Sequence, residues 1–152
     1  MKKILFVCLG NICRSPMAEY LFRQIAAERG LSAKSASAGT SGWHDGEGMH
    51  QGTAKVLKGL GITSNDFTSR RVRDTDFAEF DYLIAMDDDN LRELEKRFGR
   101  HPKKIFQITE LSPQSGYNHV PDPWYTHNFE ETRQLLTTCC TILADKLQRG
   151  EM

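Results

Sequence analysis

An α/β fold, a single three-layer domain with a four-stranded parallel sheet flanked by helices, is what this sequence predicts. Three observations point to it. The chain has 152 residues, a length that suits one domain with a real core. It opens on a continuous apolar run of strand formers, Lys3 to Cys8, without the alternation of a half-exposed strand. From there segments of strand and helical character alternate to the end, the pattern of right-handed crossovers over a parallel sheet.

Each element has its own warrant. After the first strand, Ser15-Pro16 reads as an N-cap with proline at the first helical position. Ala18, Leu21, Phe22 and Ile25 then recur at helical spacing until Gly30. Ser35 to Ala38 is a short strand of small residues. A glycine-rich connection follows from Gly42 to Gly52, carrying Trp43, His44 and His50, and leads into a short helix over Thr53 to Leu60. Asp81 to Asp87 reads as another buried strand, and Asp88 to Phe98 as a charged helix with Leu91, Leu94 and Phe98 on one face. Lys104 to Ile108 supplies the fourth strand. Pro113, Gly116, Pro121 and Pro123 argue that 112–125 is irregular. A long amphipathic helix, Phe129 to Leu147, turns Leu136, Cys139, Leu143 and Leu147 inward.

Composition excludes several function classes. Twenty basic and twenty acidic residues cancel, so no global field recruits nucleic acid or an anionic membrane, and any anion site must be local. The longest early apolar run is too short for a membrane span, and Gly10-Asn11 interrupts it too soon for an export signal. Four cysteines in two clusters do not resemble a disulfide framework, so free thiols and a cytoplasmic location are expected. The five histidines show no ligand spacing, and no metal or cofactor is expected.

In parallel sheets ligands sit beyond the carboxyl ends of the strands, which directs attention to Cys8-Leu9-Gly10-Asn11-Ile12-Cys13-Arg14-Ser15. Five residues between a cysteine and an arginine suffice to wrap once around a tetrahedral oxyanion, with backbone N–H groups turned inward. Gly10 and Asn11 are the residue types that most readily accept a left-handed backbone. The following helix adds the positive end of its dipole, and Arg14 a planar fork for two oxygens. Such surroundings depress a thiol pKa, making Cys8 a candidate nucleophile, with Ser15 placed to donate to its sulfur.

Phosphoryl transfer to a thiolate also needs an acid for the leaving oxygen and a base for the attacking water. Asp122, in Val120-Pro121-Asp122-Pro123-Trp124-Tyr125, is the candidate. The prolines stiffen it, and the aromatics are expected to desolvate its carboxyl and raise its pKa. Without the cysteine loop the same segment would read as a proline-bounded turn.

With these residues in view, the sequence resembles the low-molecular-weight protein-tyrosine phosphatases. The likeness rests on Val7 through Pro16, Ser37-Ala38-Gly39-Thr40, Phe80-Asp81-Tyr82 through Met86-Asp87, and Asp122-Pro123-Trp124-Tyr125, and it runs over essentially the whole chain. The resemblance implies a phosphate-binding loop of Leu9, Gly10, Asn11, Ile12, Cys13, Arg14 and Ser15 after the first strand. It also implies a phosphocysteine intermediate on Cys8, phosphate binding by Arg14 and a general acid at Asp122. It further implies phosphotyrosine-containing protein substrates, a cleft walled by Trp43, Trp124 and Tyr125, and a monomer or weak dimer. Phe67-Thr68-Ser69-Arg70 departs from the pattern, standing where some members place a histidine that steadies the asparagine of the loop.

Several readings stay open at this level. A Cys8–Cys13 disulfide would protect the nucleophile reversibly, or Cys13 is a buried structural thiol. Cys139 and Cys140 point about a hundred degrees apart on a helix and read as core packing by at least one of them. Tyr125 is either cleft wall or a phosphorylation target. Rival functions are a thioredoxin-coupled arsenate reductase, a phosphate-carrying protein and a silent phosphotyrosine-binding module. The first needs relay cysteines that Met86 to Asn90 lacks, and the second has no use for Asp122.

Overall fold

A computed structural model describes residues Met1–Met152. Strand β1 (Lys2–Cys8) leads into helix α1 (Arg14–Glu28), β2 (Ala33–Gly39) and α2 (Gln51–Gly59). Then come a short α3 (Asp76–Glu79), β3 (Tyr82–Ala85), α4 (Asp88–Phe98) and β4 (Ile105–Gln107). Two single 3-10 turns, Ile108–Leu111 and Pro113–Ser115, lead to α5 (Pro123–Thr126) and the closing helix α6 (Phe129–Gln148). All four strands are parallel, in the order β2-β1-β3-β4.

The apolar opening run lies in β1, which is flanked on both edges and covered on both faces. Ile4, Phe6 and Cys8 join Met17, Phe22, Leu57, Leu136 and Leu143 in a core built with α1, α2 and α6. Leu5 and Val7 face the other way, toward Leu83, Leu94 and Ile105 under α3 and α4. Fully burying each such side chain contributes about 1.5–3 kcal/mol, so both faces of β1 are heavily anchored. The strand end, and the loop that leaves it, therefore start from a fixed point.

Three departures from the sequence expectation bear on the site. Helix α1 begins two residues earlier than Ser15-Pro16 suggests, with Cys13 at the N-cap position and no side-chain cap. Ser15 falls inside the first turn rather than at the cap, and its hydroxyl lies against Cys8 Sγ. Residues 112–125 are not wholly irregular: Pro113 opens a 3-10 turn, and Pro123 opens α5 with Asp122 as its capping residue. Proline forbids the interior of a helix but favours its first position, so it started these turns rather than preventing them. Helix α2 begins at Gln51 and runs through Gly52, where a Cβ would collide with the ring of Phe129.

Candidate active site

The loop from Cys8 to Ser15 hangs between two rigid supports, the buried end of β1 and the first turn of α1. Its carbonyls are held from outside. Cys8 O accepts from Thr40 N at 2.9 Å, and Leu9 O from Ser41 N at 3.0 Å and Ser41 Oγ at 2.9 Å. Asn11 O accepts from Ser69 Oγ at 2.7 Å, Ile12 O from His50 N at 2.8 Å, and Cys13 O from Thr53 Oγ1 at 3.2 Å. In a trans peptide the C=O and the following N–H point in opposite directions, so each outward carbonyl aims the next amide to the other side. The N–H groups of Leu9, Gly10, Ile12 and Cys13 have no partner within the protein, leaving a row of free donors beside the Cys8 sulfur.

Asn11 alone in the loop takes the left-handed conformation, with φ of 56°. Gly10, expected to share it, does not; its missing side chain leaves room for the ring of His44, whose Cδ2 lies 3.0 Å from where a Cβ would sit. Gly39, at the end of β2, is needed because a Cβ there would stand 2.8 Å from Leu9 O.

Asn11 is also the hub of a buried polar chain. Its Oδ1 accepts from Arg70 N at 3.0 Å, which fixes the orientation of the amide. Its Nδ2 donates to Ser15 Oγ and to Ser37 Oγ, both at 2.9 Å. Ser37 in turn donates to Glu19 Oε1 at 2.6 Å. Ser15 Oγ lies 2.9 Å from Cys8 Sγ, and Asn11 N donates to the same sulfur at 3.3 Å. The segment that lacks the expected histidine thus grips the loop all the same, through Ser69 and the backbone of Arg70. Asn11 and Ser15 stand behind the cavity rather than in its wall.

Arg14 is held almost completely buried. Nη1 donates to Asp87 Oδ2 at 2.8 Å and to Val120 O at 3.0 Å, and Nη2 faces Asp122 Oδ2 at 3.4 Å. Burial works against its charge, but Cys8, Asp122 and Asp87 outweigh it and hold the proton more firmly than usual. Asp122 uses Oδ1 to accept from Trp124 N at 3.0 Å, capping α5, which leaves Oδ2 on the side of Arg14. Cys13 behaves unlike a nucleophile: burial first, then the proximity of Cys8 and Asp122, push its thiol up to about 12 against the opposing charge of Arg14. All four cysteines are free thiols.

A cavity of about 160 Å³ gathers Cys8, Leu9, Gly10, Ile12, Cys13, Arg14, Trp43, His44, Asp122, Trp124 and Tyr125. The nucleophile, cation, carboxylate and aromatic candidates, drawn from distant parts of the chain, meet in this one pocket. Trp43 and Tyr125 stand 74% exposed at its rim. A larger groove of about 850 Å³ opens beyond Arg14 and Asp122, lined by Asp87, Asp88, Asp89 and Glu93, and does not include Cys8. No group of three or more His, Cys, Asp or Glu side chains is arranged to hold a metal ion.

A model of the low molecular weight phosphotyrosine protein phosphatase family matches residues 3–152. The chain belongs to that family. The phosphatase relatives include YfkJ of Bacillus subtilis, a low molecular weight protein-tyrosine-phosphatase 44% identical over 152 residues, covering 98% of this chain and 97% of YfkJ. The YfkJ crystal structure superposes with a TM-score of 0.95 at 43% identity, covering 100% of this chain and 98% of that one. A protein tyrosine phosphatase of Entamoeba histolytica, with Hepes in the active site, gives 0.92 at 38% identity with all of both chains covered. The YwlE arginine phosphatase, also from Bacillus subtilis, gives 0.87 at 30% identity over 97% of this chain and 96% of that one. Family membership makes the chain an enzyme of the phosphatase class.

Some contributors to this candidate site were not read from the sequence. Asp87 on Arg14, His44 in the pocket wall, and Ser41, Thr53 and Ser69 on the loop carbonyls were missed, as were Ser37 and Glu19 behind Asn11. Ser37 and Asp87 lie in segments that carried the family resemblance, but nothing in one sequence marks a serine as facing a loop folded from elsewhere.

Proposed function

We propose that the chain hydrolyses phosphotyrosine in proteins, and small aryl phosphates, through a phosphocysteine intermediate on Cys8. The observation that carries this reading is the set of outward-held loop carbonyls around a sulfur that shares a pocket with Arg14 and Asp122. The free N–H groups and the guanidinium bind the phosphoryl oxygens, spreading their charge as it develops in the transition state. Cys8 thiolate attacks phosphorus, the P–O bond to the tyrosine breaks, and Asp122 gives its proton to the departing phenolic oxygen. Water then attacks the phosphocysteine, Asp122 takes its proton, and the S–P bond breaks to return the thiolate and release inorganic phosphate. Ser15 hydrogen-bonds the sulfur in both steps, first as nucleophile and then as leaving group.

Arg14 begins this sequence already oriented, because Asp87 and Val120 O fix one edge of its guanidinium. The aromatic rim favours a phenyl ring, and the depth it creates keeps the shorter stem of phosphoserine from bringing phosphorus to the sulfur. The YwlE structure with a phosphorylated active-site serine supports covalent transfer at the nucleophile position. We place the enzyme in the cytoplasm as a monomer or weak dimer, where its four thiols stay reduced. No helix is long and apolar enough to cross a membrane.

The test is phosphate release from phosphotyrosine, phosphoserine and phosphoarginine peptides and from para-nitrophenyl phosphate, by wild type and Cys8→Ser. Phosphotyrosine should be preferred, and Cys8→Ser should be inert. A preference for phosphoarginine would replace the substrate reading, and turnover by Cys8→Ser would remove the intermediate.

A further inference from the structure

The loop carbonyls are gripped mostly by backbone amides or by residues of the strands and helices beside them, but the Asn11 carbonyl is held by one side chain on an irregular segment. Asn11 O is buried, and Ser69 Oγ, 2.7 Å away, is its hydrogen-bond partner. Asn11 is also the residue with φ of 56°, a conformation that asparagine accepts more readily than most residues and that the surrounding bonds hold in place.

Ser69 itself is unusually well fixed. It is 3% exposed, its N–H donates to Glu47 O at 2.8 Å, and its carbonyl accepts from Gly46 N at 3.0 Å. The next residue, Arg70, is clamped through both terminal guanidinium nitrogens by the fully buried Asp76, at 3.0 and 3.1 Å, while its own N–H holds Asn11 Oδ1. The hydroxyl therefore reaches the loop from a rigid base.

We propose that Ser69 is a positioning residue of the phosphatase reaction, setting the peptide plane between Asn11 and Ile12. That plane carries Asn11 O on one side and the unpartnered Ile12 N–H on the other. Holding the carbonyl aims the amide. The same clamp keeps Asn11 left-handed, and so keeps its side chain on Ser15 and its N–H on the Cys8 sulfur. Without the hydroxyl, a buried carbonyl loses its partner and the plane is free to rotate, so one anion donor and the support of the thiolate weaken together. This inference rests on the reading of Cys8 as the nucleophile of the site.

The experiment compares wild type, Ser69→Ala and Ser69→Thr by inhibition with inorganic phosphate, by the pH dependence of iodoacetate inactivation at Cys8, and by thermal melting. For Ser69→Ala, phosphate inhibition should weaken about fivefold to tenfold, the scale of one lost buried hydrogen bond. Its inactivation midpoint should move up by about half a pH unit, since the thiolate loses support. Ser69→Thr, which keeps the hydroxyl, should recover most of both effects. A folded Ser69→Ala protein with unchanged phosphate inhibition and an unchanged inactivation midpoint would overturn the proposal, whatever its melting temperature. Because Cys8 alkylation can be followed by mass spectrometry with no turnover at all, and phosphate inhibition with para-nitrophenyl phosphate, failure here is distinguishable from failure to hydrolyse phosphotyrosine.

Discussion

Ser15 Oγ lies 2.9 Å from Cys8 Sγ, and the bonds around it suit the hydroxyl to donate once that sulfur is a thiolate. Arg70 N occupies Asn11 Oδ1, so the amide nitrogen must face the serines, and Ser15 accepts from it. The hydroxyl hydrogen of Ser15 is then left for the sulfur. Cys8 is thus supplied with an O–H donor and the Asn11 N–H, both suited to a thiolate.

Replacing Ser15 with alanine removes the stronger of those donors. A hydrogen bond to a charged group contributes about 1.5–3 kcal/mol, so kcat/KM should fall on the order of 10- to 100-fold. Stopped assays with para-nitrophenyl phosphate measure it. A drop smaller than about twofold would show that the hydroxyl does not serve the sulfur.

Cys13 and Cys8 should separate cleanly by reactivity. The Cys13 thiol is pushed up to about 12 by burial and by the charges of Cys8 and Asp122, and those of Cys139 and Cys140 are raised by burial. Iodoacetamide at neutral pH should therefore label Cys8 and leave the other three until the protein is unfolded. Peptide mapping by mass spectrometry reads this directly, and early labelling of Cys13 would contradict it.

Asp122→Ala should cost about 10²- to 10⁴-fold when the leaving group is a poor one such as tyrosine. Aryl phosphates with acidic phenols, which leave without a proton, should lose much less. A rate series over substituted phenyl phosphates tests this; a uniform loss across the series removes Asp122 from the acid role.

Much of this arrangement was legible beforehand. The strand-loop-helix opening is visible because β1 is apolar on both faces, and Arg14 stands out because a cation at a helix start opposes the dipole unless an anion is present, whereas Cys8 and Asp122 gain meaning only from their place relative to it. Helix α4 was readable from Leu91, Leu94 and Phe98. The short α3 was not, since Asp76–Glu79 has no room for a period. Its role depends instead on Asp76 meeting Arg70, a fact of folding. Ser41, Thr53 and Ser69 were illegible for the same reason: each is an ordinary loop or helix residue until the loop carbonyls arrive in front of it.

Glu19 gives a pH signature. Burial raises its carboxyl pKa, against the lowering influence of Ser37 and Arg23. A raised folded value means the native state holds the proton longer than the unfolded chain. The resulting stability is complete below the ordinary value of 4.5 and is lost as pH climbs through the folded value. Glu19→Gln abolishes that titration, so the stability of wild type relative to this variant should fall across the same window. Urea unfolding of both proteins at several pH values checks the sign; a wild type that gains on the variant with rising pH would refute it.

Trp43→Ala and Tyr125→Ala should raise KM for phosphotyrosine peptides while leaving inhibition by inorganic phosphate nearly unchanged, because both side chains stand at the rim and neither holds the loop. An equal loss for peptide and phosphate would mean that they shape the anion site itself.

The most direct measurement is rapid acid-free quenching of the Asp122→Ala enzyme with a phosphorylated aryl substrate, followed by peptide mass spectrometry. One phosphoryl group should be found on the peptide containing Cys8, attached through sulfur, and should vanish in Cys8→Ala, which has no nucleophile at that position. A phosphoryl group on any other residue, or steady turnover by Cys8→Ser, would contradict the account.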